Sequence, residues 1–240
     1  MIGSVASIET FGTQDGPGIR TVIFFNECKL RCIYCHNPEM WNKGIKNYSV
    51  EELFLRIIKN KEYYGENGGV TFSGGEPLLH SEFLLELCKK LKNENIHIAL
   101  DTAGIAEVDY EELLKYVDLI IFDVKHINEE GYKLITRTNN FNKANKFLSV
   151  ANKLNKKFWI RQVIVPGIMD NCDYLIGLKE YLKRINNIEK IEFLPYHKLG
   201  CEKYIKIGIP YYCENIKEMD KITCENLYNK FLEIYNDNND

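Results

Sequence analysis

Short apolar runs alternate with longer amphipathic stretches along most of the chain. Residues 21–25, 70–72, 96–100, 119–122, 159–165 and 191–194 are rich in β-branched and aromatic side chains and short enough for strands. Between them, "SVEELFLRIIKNKEYY" predicts a helix: Ser49 and Glu52 have capping-box spacing, and Leu53, Ile57 and Ile58 share a face. "SEFLLELCKKLKNEN" predicts a second. Further helices are expected around 109–116, 141–155, 173–185 and 215–235, and the terminal "NDNND" (236–240) is expected to fray.

Strands alternating with helices imply right-handed βαβ units and a parallel sheet. Six units predict an α/β fold, a partial, open (β/α)6 TIM-type barrel, with residues 1–240 as a single domain. In such folds reactive groups gather at the carboxyl ends of the strands. The run 21–25 is followed by "NECKLRCIYCHNPEMW" (26–41), and the next three by "SGGEP" (73–77), "DTAG" (101–104) and "DVK" (123–125). The fifth carries Arg161 and ends in "PG"; the sixth runs into "PYH" (195–197).

Composition narrows the chemistry. A net charge of -3 and a pI near 6.0 give no electrostatic reason to expect nucleic acid or an anionic membrane as partner. The N-terminal "MIGSVASIETFG" lacks a secretory pattern, and no apolar run approaches the ~18 residues that would span a bilayer. A cytoplasmic protein is expected. Thiols stay reduced there, so its eight cysteines read as ligands or buried thiols before disulfides.

Cys28, Cys32 and Cys35 fall within eight positions, with no fourth cysteine nearby. Thiolates suit zinc or iron–sulfur clusters, and a complete site takes four ligands. Zinc with His36 as fourth ligand is one alternative, made awkward by the adjacency of Cys35 and His36; three structural thiols in a loop is another. Cys88 shares a helical stripe with Leu84, Leu85 and Leu91 and reads as a core thiol, while Cys172, Cys201, Cys213 and Cys224 are scattered.

The C-x3-C-x2-C run, with aromatic Tyr34 before its last cysteine, resembles the signature of the radical S-adenosylmethionine superfamily. "FGTQDGPGIRTVIFF", "CIYCHNPE", "GGVTFSGGEPLL", "LDTAG", "IIFDVK", "WIRQVIVPG" and "IEFLPYHKLG" resemble, in order and approximate spacing, the pyruvate formate-lyase activating enzyme family, up to about residue 200. The resemblance implies a [4Fe–4S] cluster on Cys28, Cys32 and Cys35 whose fourth iron binds the methionine moiety of S-adenosylmethionine. It implies reductive cleavage to a 5′-deoxyadenosyl radical that takes hydrogen from a glycine Cα of a partner. That partner would be a glycyl radical enzyme, pyruvate formate-lyase first among them, and electrons would come from a flavodoxin or ferredoxin.

On the same resemblance, Gly74, Gly75 and Glu76 engage the methionine amino group, and Arg161 and His197 contact the cofactor. Asp101 and Asp123 flank a monovalent cation, with Val124 and Lys125 in the nucleotide pocket. Tyr34 and His36 contact adenine or surround the cluster. Asp15, in "DGPG", is a candidate for docking the partner's peptide. Structural alternatives stand beside these: Asp101 as a helix N-cap, His197 as a structural histidine, Tyr34 as packing, Glu76 as a solvent-facing turn residue. Two departures bear on partner choice: Arg137 stands where related activators usually carry glycine, and the segment after Cys201 matches poorly. No additional cysteine-rich insert is present, which favours the pyruvate formate-lyase branch. The rival classes are a non-catalytic iron–sulfur electron carrier, a zinc-stabilised binding module, and an activator of a different glycyl radical enzyme.

Overall fold

The computed structural model describes residues 1–42, 44, 46–106 and 109–237. Its strands are β1 (Ile2–Gly12), β2 (Arg20–Phe25), β3 (Asn47–Ser49), β4 (Gly69–Gly74), β5 (His97–Thr102), β6 (Leu119–Asp123), β7 (Lys157–Ile164) and β8 (Ile188–Pro195). They form one sheet in the order β3-β1-β2-β4-β5-β6-β7-β8. From β2 to β8 every pairing is parallel, whereas β1 runs antiparallel to both β2 and β3. The six parallel strands are the expected open, partial barrel; β1 and β3 extend one edge.

The strand runs are apolar because both faces are covered. On the outer face Ile23, Phe72, Leu100, Ile120, Phe158 and Ile160 are buried in the main core against the helices. Inside the curve of the sheet, Ala99, Leu119 and Ile121 form a separate buried cluster with Trp159 packed on it. The next inward positions toward the carboxyl ends are Asp101, Asp123 and Arg161, and Asp123 pairs directly with Arg161. An apolar plug thus floors a polar layer.

The helices are α1 (Val50–Ile58), α2 (Ser81–Asn93), α3 (Glu111–Leu114), α4 (Glu129–Thr136), α5 (Phe141–Lys153), α6 (Cys172–Leu182), α7 (Cys201–Ile207) and α8 (Lys221–Asn236). The capping box forms: Glu52 N donates to Ser49 Oγ, and Ser49 N donates to Glu52 Oε2 at 2.7 Å. Cys88 is fully buried in α2. α1 ends at Ile58, because beyond it the chain turns so that Tyr64 Oη can reach Thr21 Oγ1 and the Ile57 carbonyl. The helix expected over 215–235 starts only at Lys221, where Asp220 caps it by accepting from Thr223 N. Asn236 is still helical, so fraying does not begin there; 238–240 lie outside the described residues. No helix among the described residues is long and apolar enough to cross a membrane.

Candidate active site

The segment after β2 turns at Glu27, which holds the left-handed φ of 71°, and carries Cys28, Cys32 and Cys35 over the carboxyl ends of the strands. Two backbone bonds hang this loop from α4: Arg31 N donates to Thr136 O and Ile33 N to Ile135 O, at 2.9 and 2.8 Å. Below it lies a cavity of about 430 Å³. The three cysteines wall one side, with Tyr34 and His36 beside them. Strand ends supply the other side: Gly74 at the end of β4 and Gly75 just after it, Asp101 from β5, Asp123 and Lys125 from β6 and beyond it, Arg161 from β7, and His197 after β8.

Three expected residues lie outside that wall. Glu76 is 1% exposed and bonded internally: its carboxylate accepts from Thr102 Oγ1 at 2.5 Å, Ala103 N at 3.0 Å and Leu78 N at 3.1 Å. It braces the turn after β4 against the end of β5, and is not a solvent-facing turn residue. Val124 is buried, with its N–H on the Arg161 carbonyl. Asp15 reaches the underside of the polar layer, where its carboxylate lies 3.3 Å from Arg161 Nη1 and its carbonyl accepts from Thr71 Oγ1.

The two glycines serve the backbone. A Cβ on Gly74 would sit 2.3 Å from Phe25 N and O, and one on Gly75 would sit 2.3 Å from the Glu27 carbonyl. Gly74 also holds φ +115°. The turn therefore continues the β2–β4 ladder, with Gly75 N on Phe25 O and Glu76 N on Glu27 O, and fixes the entry to the cysteine loop.

Charge in the polar layer is neutralised by the protein itself. Arg161 lies against Asp15, Asp101 and Glu192 and donates to the Gln14 carbonyl. Lys125 Nζ is 2.8 Å from Asp123. Burial, only partly offset by Arg161, pushes Asp101 up to about 6. Burial works against the Lys125 ammonium, but Asp123 and Tyr34 hold it protonated well above the usual lysine range. Asp101 belongs to β5 and accepts from Ser73 Oγ, so it is no helix cap. His36 and His197 stack with centroids 3.8 Å apart, and burial followed by the His197 neighbour lowers the His36 pKa.

The donor set fits an iron–sulfur cluster. Burial raises all three thiols, Cys32 to about 12, so each holds its proton until a metal displaces it. The sequence reading missed Ser73, Thr102 and Trp41. Ser73 was visible beside the two glycines; Trp41, whose carbonyl accepts from Cys28 N at 3.4 Å, carried no spacing signal.

Comparisons with known proteins agree with this geometry. Residues 22–176 match the radical SAM superfamily. The pyruvate formate-lyase-activating enzyme of Clostridium pasteurianum is 46% identical over 223 residues, covering 92% of this chain and 93% of the relative. That of Staphylococcus epidermidis is 40% identical, with 94% of each chain covered. Among solved structures, a domain of the pyruvate-formate lyase-activating enzyme from Bacteroides vulgatus superposes with a TM-score of 0.55 at 22% identity, over 71% of this chain and 94% of that one. Streptococcus suis SuiB bound to S-adenosylmethionine gives 0.65 at 16% identity, over 89% of this chain and 48% of that one. These two likenesses concern the fold. With the sequence matches spanning nearly the whole chain, the protein belongs to the radical SAM superfamily and, within it, to the family of pyruvate formate-lyase-activating enzymes.

Proposed function

We propose that the protein installs a glycyl radical on pyruvate formate-lyase, using a [4Fe–4S] cluster on Cys28, Cys32 and Cys35 and S-adenosylmethionine in the cavity beneath. The observation that carries this reading is one cavity walled both by the three thiols and by Asp101, Asp123, Lys125, Arg161 and His197. When bound, the two cofactors supply one-electron cleavage and hydrogen abstraction. The chain's own residues hold and enclose them. Lys125 and Arg161 offer cationic donors to a carboxylate, Asp101 and Asp123 offer acceptors to hydroxyl or ammonium groups, and the stacked His36–His197 pair offers a flat apolar surface. Tyr34 closes the inner wall. Gly74, Gly75 and Glu76 set the turn that faces the methionine amino group, Glu76 by bracing it, and Val124 anchors the strand end behind Lys125.

A monovalent cation at Asp101 and Asp123 would share them with Arg161 and Lys125; potassium or sodium dependence of cofactor affinity tests for it. Asp15 would meet an incoming peptide by exchanging its contact with Arg161. A flavodoxin or ferredoxin as electron donor and a cytoplasmic location complete the reading.

The test is anaerobic reconstitution followed by mixing with reductant, S-adenosylmethionine and pyruvate formate-lyase from the same source. About four irons and four sulfides per chain, lost on serine replacement at Cys28, Cys32 or Cys35, and a glycyl-radical signal on the partner are expected. Cluster formation and 5′-deoxyadenosine without that signal would refute the named partner.

A further inference from the structure

Among the described residues, the buried side-chain oxygens without a hydrogen-bond partner are Tyr34 Oη, Ser81 Oγ, Tyr132 Oη and Tyr204 Oη. A buried hydroxyl left unpaired costs about 1–3 kcal/mol, so such atoms are few and each needs a reason. Three of these four belong to tyrosines around the cysteine loop. Tyr34 is part of that loop. Tyr132 and Tyr204 come from two helices that the cofactor reading does not use.

Both helices are fastened to the loop from opposite ends. Tyr132 lies on α4, three and four residues before Ile135 and Thr136, whose carbonyls accept from Ile33 N and Arg31 N. The loop therefore rests on the carboxyl end of α4, one turn beyond Tyr132, whose side chain is buried. Tyr204 lies on α7, which starts against the far end of the loop. A Cβ on Gly200 would sit 2.8 Å from His36 Cα and 3.1 Å from the Cys35 carbonyl. Lys203 Nζ bonds Asn37 Oδ1 and Glu39 Oε1, both at 2.6 Å, and the Tyr204 ring packs edge-on to Trp41 with centroids 5.7 Å apart. After burial, the neighbour that most raises the hydroxyl is Cys32 for Tyr132 and Cys35 for Tyr204. Both hydroxyls therefore keep their protons, and neither has a hydrogen-bond acceptor in the cluster-free protein.

We infer that Tyr132 and Tyr204 are positioning residues whose hydroxyls donate hydrogen bonds to the sulfur shell of the bound cluster, one on the Cys32 side and one on the Cys35 side. The inference rests on the reading that the loop holds a cluster. A donor aimed at sulfur stabilises the reduced, more negative state more than the oxidised one, and so raises the reduction potential. The same hydroxyls have nothing to bond in the cluster-free protein. Holo- and cluster-free protein should therefore respond to their removal in different ways.

The test uses Tyr132→Phe, Tyr204→Phe and the double variant, with Tyr64→Phe as control, because the Tyr64 hydroxyl is bonded within the protein to Thr21 and Ile57. Reduction potentials come from redox titrations of the reconstituted protein followed by electron paramagnetic resonance. Stabilities come from urea denaturation of the cluster-free protein. The two single variants should each shift the potential to more negative values and the double variant further, while cluster-free stability stays equal to or above wild type. Tyr64→Phe should do the reverse, leaving the potential in place and lowering stability. An unchanged potential in the double variant overturns the inference. So does a loss of cluster-free stability as large as that of Tyr64→Phe, which can be measured even in a variant that loads poorly. If wild type itself takes up no cluster, the cluster reading fails first, and that result is separate from either of these.

Discussion

Thr102 Oγ1 donates a 2.5 Å hydrogen bond to Glu76 Oε1, joining the turn after β4 to the end of β5. Burial nonetheless dominates over this bond and those from Leu78 and Ala103, and pushes Glu76 up to about 7 from 4.5. A carboxyl raised by folding contributes stability that is fully present below its unfolded value and lost as pH rises through the folded one. Cluster-free protein should thus lose stability between about pH 4.5 and 7, with Glu76 accounting for on the order of 3 kcal/mol. Asp101 adds to the same slope. Urea denaturation across this range should show a shallower slope for Glu76→Gln; an equal slope would mean that Glu76 ionises normally in the fold.

His97 works in the opposite direction. Its Nδ1 lies 3.2 Å from Arg20 Nη2, and burial, then Arg20, lower its pKa to about 4. A depressed base contributes stability that is present above its unfolded value near 6.5 and lost as pH falls toward 4. His97→Asn keeps an acceptor for the buried guanidinium and removes the titration. It should therefore be less stable at pH 8 by at most about 1 kcal/mol, the worth of an altered hydrogen bond, yet show a flatter acid limb. A steeper acid limb would rule out a neutral His97.

Strands β2, β4, β5 and β6 were legible because they are buried on both faces and read as nearly unbroken apolar runs, whereas β7 and β8 carry polar positions between their apolar ones and were legible from β-branched and aromatic content. β1 was not, because "IGSVASIETFG" mixes polar and apolar positions along a strand largely exposed toward its end. α4 was hidden by its eight-residue length and by Gly131. Most of the cavity wall was foreseen, because parallel α/β folds gather chemistry at strand ends. The internal bonding of Glu76 is not legible in the sequence, since spacing fixes a residue's place on the rim but not the direction of its carboxylate. Tyr132 and Tyr204 could not be found at all: an unpaired hydroxyl becomes visible only after packing.

Arg137, at a position where the family resemblance implies glycine, has a structural account in this chain. It caps α4 in the left-handed region at φ 56°, a conformation that costs an L-residue roughly 1–2 kcal/mol and glycine nothing. The cost is offset by its guanidinium, stacked 3.9 Å from the Tyr212 ring centroid. Arg137→Gly removes both effects and should leave the melting temperature nearly unchanged. Arg137→Ala keeps the strain and loses the stacking, so it should be the least stable of the three by about 1 kcal/mol. If alanine matched glycine, the left-handed cap would not be the reason for the difference.

Arg161 is the cation on which the barrel interior depends. Its guanidinium faces Asp15 at 3.3 Å, Asp101 at 3.5 Å and Glu192 at 3.1 Å. Lys190 also serves Glu192, but among the described residues no second cation is paired with Asp15 or Asp101. Arg161→Met would leave buried carboxylates uncompensated, a change that costs about 3–5 kcal/mol when both stay ionised. The protein can escape part of that cost by protonating Asp101, already raised to about 6 with Arg161 present and higher without it. The penalty should therefore be largest near pH 8 and shrink toward pH 5, because a raised carboxyl loses its stabilising contribution as pH rises. Asp101→Asn in the Arg161→Met background should recover stability at pH 8 and change little at pH 5. Urea denaturation of the cluster-free variants at the two pH values measures this without cofactor or partner. An equal penalty at both would show that Arg161 acts by packing alone, and the charge balance assigned to the site would have to be redrawn.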